Sequence, residues 1–304
     1  MKFKRSVIIM MMLFLLGSCS LMPNKADEKK QAEASEYMPV QDYTGQGYSF
    51  DNGEETGKFA NQHRKQIVEK VKQYFRQKYH LDITVHQIYG ATDAAVVFVE
   101  SKKDPKFHTS VIVGIDLENK KIGNVGAYEG SVEGAITSGL YVMAYEKEFQ
   151  RLDDFCTAIT KEYPVIGRTK EAVDHTVDSG YATPYYYLNT THLEFLKAYK
   201  SFLNNPKTTG QNLKKQIEDQ KFVPDNMIIE LTFYMRKKHE HPDKTLVNKI
   251  KDELKKQKDF PPGEYSISVN SNDILMRTGT EKDYEDSDTK NNDVIIEPNG
   301  EVAK

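Results

Sequence analysis

Between residues 82 and 116 three apolar stretches follow one another with connections too short to carry a crossover. Residues 82–89 alternate, with Ile83, Val85 and Ile88 turned inward. Residues 94–100 are a continuous apolar run, the pattern of a buried strand, and residues 108–116 form a third stretch. Ala91-Thr92-Asp93 joins the first two and the polar 102–106 the second and third. A parallel pair needs a connection of roughly a dozen residues or more, so these spacings favour an antiparallel meander. A cover for such a sheet stands just before it. Over residues 55–79, Ile67, Val71 and Phe75 recur one turn apart and Val68, Tyr74 and Tyr79 widen the stripe. Lys65, Glu69, Lys72 and Arg76 fall largely outside it, which predicts an amphipathic helix.

Helical periodicity returns over 131–162, where Val132, Ile136, Leu140 and Met143 form a stripe. Shorter helices are predicted at 169–178, 190–203 and 211–220, and a charged one at 243–257 with Leu246, Ile250 and Leu254 on one face. Residues 227–235 and 264–269 read as strands, the latter after the Pro261-Pro262 breaker. Helices and strands are partly segregated along the chain. The expected class is therefore α+β, an antiparallel sheet with packed helices, flanked by a disordered N-terminal tether and C-terminal tail.

The ends have a different character. Lys2, Lys4 and Arg5 precede the apolar run SVIIMMMLFLL at 6–16, the layout of a signal peptide over residues 1–18. The run is shorter than the roughly 20 apolar residues of a membrane span. Leu16-Gly17-Ser18-Cys19 resembles the bacterial lipobox, in which the cysteine thiol receives a diacylglycerol and the chain is cut before it. Cys19 is thus the expected lipidation site, and the expected location is the extracytoplasmic face of the cell membrane. Residues 19–45 read as the lipidated cysteine and a flexible tether, 46–275 as one α+β domain, and 276–304 as an acidic, mostly disordered tail in which Val294-Ile295-Ile296 is a candidate strand. Removing residues 1–18 leaves 39 basic against 45 acidic residues, a net charge of −6. That balance argues against a nucleic-acid partner.

Several motifs have the residue types of chemical sites. Gly130, Gly134 and Ser138 fall on one helical face at spacing four, which favours close packing. A phosphate loop would also need a Gly-Lys-Ser/Thr end, and none follows. His239 and His241 flank Glu240 without a third ligand beyond Asp243, which reads as a solvated turn rather than a zinc site. Asp286 and Asp288 share a calcium-loop spacing, but Lys290 takes the third ligand position. Cys156, the one cysteine besides Cys19, sits in an amphipathic segment and reads as a small core residue. His175 is its only proposed base, and nothing in the spacing joins them. No serine-hydrolase elbow occurs. Tyr185, Tyr186 and Tyr187, beside Thr183-Pro184, are the candidate binding surface, although alternation should bury about half of such a cluster. No cofactor or metal set is expected.

The stretches MPVQDYTGQGYSFDNG (38–53), GATDAAVVFVES (90–101), YEKEF (145–149), PVIG (164–167), TPYYYL (183–188), NPKTT (205–209) and PPGEYSI (261–267) resemble a family of staphylococcal lipoproteins built on a domain of unknown function. The resemblance spans nearly the whole body and implies one continuous domain. It carries over only the lipidated Cys19 and brings no catalytic residue. The expectation is a membrane-anchored binding or interaction protein whose partner is a protein or small molecule. A hydrolase with an unfamiliar site, or a solute-binding component of a transporter, is the alternative.

Overall fold

The computed structural model describes residues 36–190, 195–220, 222–286 and 294–303. The predicted signal peptide, Cys19 and the tether up to residue 35 lie outside them, as does Asp288. The chain enters the fold at β1 (Tyr37–Met38), followed by α1 (Glu54–Gln62) and α2 (Arg64–Tyr79). The meander is β2 (Ile83–Ala91), β3 (Ala94–Ser101), β4 (His108–Asp116) and β5 (Lys121–Gly126). Helices α3 (Ser131–Ala144) and α4 (Glu146–Glu162) lead to β6 (Val165–Ile166), α5 (Lys170–Thr176), β7 (Ser179–Gly180) and β8 (Tyr186–Asn189). Then come α6 (Leu196–Asn204), α7 (Gly210–Glu218), β9 (Ile228–Met235), α8 (Lys244–Leu254) and β10 (Gly263–Asn270). Four short strands close the chain: β11 (Ile274–Leu275), β12 (Thr280–Glu281), β13 (Tyr284–Asp286) and β14 (Val294–Ile296).

The first sheet has the order β2-β3-β4-β5, all antiparallel, with β7 on β4. Ile67, Val71, Phe75 and Tyr79 of α2 are buried in one core with Val97, Val99, Val111 and Val113 of the sheet. The helix predicted over 55–79 is two helices, broken at His63, whose ring stacks on Phe59 and meets its carbonyl through Nδ1 at 2.9 Å. The break lets α1 lie against β2 independently of α2. That approach is backbone on backbone: a Cβ on Gly90 would stand 2.0 Å from the carbonyl oxygen of Gly53, so only glycine fits. Thr56 locks the contact by donating to the Ala91 carbonyl at 2.8 Å.

The helix predicted over 131–162 also breaks, at Tyr145. Helix α3 is buried over most of its length, whereas α4 buries one stripe of Phe149, Leu152, Phe155, Cys156 and Ile159. A straight helix could not satisfy both environments. The small residues of α3 serve close packing: Gly139 leaves room for the Lys106 carbonyl oxygen, which a Cβ would meet at 2.4 Å, and Ser138 is buried.

In the second sheet β13-β10-β9-β6 is the main path, with β14 on β10 and β8 on β9. Strands β9 and β10 run parallel over seven residue pairs, from Glu264↔Ile228 to Asn270↔Tyr234, while the other pairs among the described strands are antiparallel. Helix α8 supplies the crossover that a parallel pair requires, and Leu246, Val247, Ile250 and Leu254 bury its apolar face.

A third, small sheet, β1-β11-β12, corrects two boundaries drawn from composition. Residues 37–45 are not tether. Val40 and Tyr43 are fully buried with Ala172, Tyr234 and Ile274, and Tyr43 donates to the Met276 carbonyl at 3.0 Å. Nor is the segment after 275 uniformly a loose tail. Strand pairing and an ion pair hold its polar residues in β12 and β13, and β14 pairs with β10 and buries Val294 and Ile296 in the main core.

Helix α5 is fixed to the first sheet by charge. His108 Nε2 donates to Asp174 Oδ1 at 3.1 Å, and Lys170 Nζ lies 2.7 and 2.8 Å from the two Asp174 oxygens. Burial alone would raise the Asp174 pKa. The bonds from His108 and Lys170 and the nearby His86 and Lys170 charges outweigh it and hold the group at about 2. A carboxylate whose folded pKa is depressed adds stability above its unfolded pKa and loses it as pH falls through the folded one. Asp174→Asn should therefore lower stability by on the order of 2 kcal/mol at pH 7. Thermal melts across the acid range check this, because the deficit should shrink from about pH 4 downward and vanish only below about pH 2.

Candidate functional site

The polar face of the second sheet is the floor of a cleft of about 550 Å³. Alternation creates it. On β9, Ile229, Leu231 and Phe233 point into the core, which leaves Glu230 and Thr232 on the other side. On β10, Ile267 and Val269 are buried, and Ser266 and Ser268 share the cleft face with Glu230. The facing wall is the segment from Thr176 to Pro184, and Arg168, Glu281 and Tyr284 stand at the rim.

The tyrosine cluster divides by the same alternation. Tyr185 and Tyr187 line the cleft. Tyr186, although its residue borders the cavity, is buried. Its ring stacks against Phe149, with centroids 6.0 Å apart, and its hydroxyl donates to Asp153 Oδ1 at 2.8 Å. The turn before β8 is held by Thr183, whose hydroxyl accepts from the backbone N–H groups of Tyr185 and Tyr186 at 3.1 Å. Of the predicted surface, then, two residues reach the cleft and one belongs to the core.

Three carboxylates converge on this space against one guanidinium. Arg168 donates through Nη2 to Glu281 Oε1 at 2.7 Å and to the Gly279 carbonyl at 3.0 Å, and through Nε to the Tyr234 hydroxyl. Tyr234 in turn donates to Glu281. Burial would raise the Glu281 pKa, but the Arg168 charge and the bonds from Tyr234 and Arg168 keep it below the usual carboxylate value. The other two carboxyls lack such partners. Burial pushes the Asp178 pKa up against the bond from its own backbone N–H. Burial, then the Glu281 charge, push Glu230 up, with Arg168 opposing. Tyr187, between Asp178 and Glu230, is raised by burial and by both charges. Because Glu281 neutralises Arg168, the remaining field in the cleft is negative.

The other candidates are separated. His239 Nδ1 pairs with Asp273 at 2.7 Å and His241 Nδ1 with Asp283 at 3.0 Å, so the two rings serve different aspartates. His175 Nδ1 meets the Thr44 carbonyl at 2.6 Å, which ties it to the packed N-terminal segment. Asp286 lies on β13. Cys156 is fully buried, and burial, with the Asp153 charge, drives its thiol pKa upward. Sequence reasoning passed over Arg168, Asp178, Glu230 and Glu281. A signal for part of the set was present: Glu230 and Thr232, like Ser266 and Ser268, are polar at every second position of strands whose alternate residues are apolar.

The fold and the cleft define an α+β protein with a polar, acidic groove on one face of its mixed sheet. The family model for DUF1672, described as a protein of unknown function, matches residues 30–297, and the chain belongs to that family. Among solved structures, the crystal structure of a DUF1672 family protein from Staphylococcus aureus subsp. aureus Mu50 at 1.80 Å resolution is similar, with a TM-score of 0.70 at 20% sequence identity, covering 83% of this chain and 96% of that one. At that identity the likeness establishes the fold. None of the curated proteins matches the chain. No helix among the described residues is long and apolar enough to cross a membrane.

The native Cys156 thiol should stay unmodified by a water-soluble thiol reagent and react fully once the chain is unfolded. Mass spectrometry of a Cys19→Ser variant, before and after denaturant, reads this directly, and modification of the native protein would place Cys156 outside the core.

Proposed function

We propose that the chain is a lipid-anchored extracytoplasmic binding protein. A diacylglycerol on Cys19 holds it at the membrane, and the cleft between the polar sheet face and residues 176–184 takes a small ligand bearing a cationic group. The observation that carries the binding part is the charge balance of the cleft, with Asp178 and Glu230 left uncompensated beside Tyr185 and Tyr187. Carboxylates attract a cation, and tyrosine rings offer flat apolar surface with a polar tip for the rest of the molecule. Binding rather than turnover is favoured because the described residues lining the cleft include neither histidine nor cysteine to serve as nucleophile or conventional base. The anchor rests on the signal peptide and on Leu16-Gly17-Ser18-Cys19. Among the described residues the sheets do not form the paired, doubly wound lobes of a transporter's solute receptor, so that reading draws no support from them.

One observation favours a second reading. Two carboxyls with raised pKa facing one cleft are the equipment of a general acid, so a hydrolase using Asp178 or Glu230 is the rival.

Thermal shift against matched amines and carboxylic acids tests the binding. Amines should stabilise the protein, and Glu230→Gln should weaken the best of them roughly tenfold. Protonation removes the negative field, so amine binding should weaken on acidification, starting at higher pH than an ordinary carboxylate would dictate. Preference for the acids would sink the reading, and substrate turnover lost in Glu230→Gln would replace it with the hydrolase. For the anchor, Cys19→Ser should abolish labelling by a fatty-acid analogue and release the protein from the membrane fraction. Undiminished labelling would show the lipobox assignment to be wrong.

A further inference from the structure

On the far side of α5 from the cleft, three neighbouring strands and the helix bring a second set of ionisable side chains together. Glu100 of β3 is the direct cross-strand partner of His108 on β4. On the other flank, β2 carries a bulge: Val85 pairs with Val99 and Gln87 with Phe98, so His86 is the extra residue. Bulges re-aim side chains. Here the bulge brings His86 Nε2 to 3.1 Å from Glu100 Oε2, and Arg64 holds it by donating to the His86 carbonyl at 3.0 Å. Helix α5 lays Asp174 and Lys170 over this row.

We infer that His86, Glu100 and Asp174 form a binding site for a divalent transition ion of the zinc type, with Lys170 as a tethered stand-in cation. One donor atom from each of the three lies within 4.8 Å of the others. In a tetrahedral site with metal–ligand bonds near 2.0–2.1 Å, ligand atoms sit about 3.3 Å apart, so only a small contraction is needed. The donors, one imidazole nitrogen and two carboxylate oxygens, suit zinc or manganese better than the all-oxygen shells of magnesium and calcium. Three protein ligands leave a fourth position for water or for a ligand group.

Two further observations support an ion here. The structure already places a cation between the carboxylates: the Lys170 ammonium contacts both Asp174 oxygens and stands 4.0 Å from Glu100 Oε1. The Lys170 side chain is 65% exposed, so it can swing into water and yield its place. Exchanging one positive charge for two against Glu100 and Asp174 improves the local balance. Behind the site, His108 is 6% exposed, and its Nδ1 is buried without a partner. The tautomer that leaves no N–H stranded keeps the proton on Nε2, where it donates to Asp174. Such a bond orients a ligating carboxylate. His108 is thus a positioning residue rather than a ligand.

Equilibrium dialysis of the full chain against zinc, with metal read by mass spectrometry, tests the site. One ion per chain should bind in the micromolar range or tighter, manganese more weakly, and magnesium not at all. His86→Ala and Glu100→Gln should each weaken zinc about tenfold or more. Lys170→Ala should strengthen it, which a purely structural ion pair would not do. Melting curves without metal show that each variant is folded. A His239→Ala/His241→Ala variant should bind as the parent does. Three results would each overturn the inference: absence of stoichiometric zinc, binding that survives His86→Ala and Glu100→Gln, and a Lys170→Ala variant with unchanged or weaker affinity.

Discussion

The chain between Val165 and Asn189 is stitched to two sheets in turn, and both sites depend on that stitching. Strand β6 pairs with β9 in the second sheet, α5 is bonded to the first through Asp174 and His108, β7 pairs with β4 of the first, and β8 returns to β9. No step in this sequence is long. The strands involved have two to four residues and α5 has seven. Such pieces do not persist alone, since helix nucleation is unfavourable and isolated strand pairs are marginal. They exist because the two sheets are already in place, and in return they fix the distance between them. The cleft wall and the carboxylate of Asp174 come from one short segment.

Helix α5 divides the chemistry. Val173 and Thr176 face the acidic cleft, while Asp174 and Lys170 lie on the strands of the first sheet. Both regions are rich in carboxylates and differ in how these are compensated. Asp174 and Glu281 are supplied with hydrogen-bond donors and cations, and their pKa values fall. Asp178 and Glu230 line the open cleft, partly desolvated and without equivalent partners, and theirs rise. A compensated carboxylate holds the fold together, and an uncompensated one is available to a ligand.

The meander, the helix stripes and the α+β class were legible because each rests on local periodicity. Ile67, Val71 and Phe75 announce a buried helix face, and three-residue connections announce antiparallel strands. The breaks at His63 and Tyr145 were not legible, since neither residue is a helix breaker and each kink answers to tertiary packing. The strand–helix–strand order across 227–269 carries the signature of a parallel pair, which the short meander earlier in the chain, with its antiparallel expectation, does not address. Residues 37–45 and the polar stretch after 275 read as solvated because they have no apolar stripe. Their partners are far away in sequence: Tyr43 bonds to Met276, and Arg168 to Glu281. The sites failed to show for the same reason. His108 and Asp174 lie 66 residues apart, and neither has a neighbour that hints at the other.

The two-residue pairing of β1 with β11 has a mechanical consequence. Any pull applied to the chain from its N-terminal side enters the described fold at Tyr37, where only Tyr37↔Leu275 and Met38↔Ile274 form the ladder. Such a short antiparallel ladder resists peeling weakly, so it should open first. The next resistance is Val40 and Tyr43 in their apolar pocket and the Thr169 hydroxyl on the Tyr43 carbonyl at 2.7 Å. Thr169 adjoins both Arg168 and Lys170. A pull from that side would therefore reach Arg168 and α5, which lead into the segment that walls the cleft, and the first sheared strand becomes a force gauge for the residues behind it.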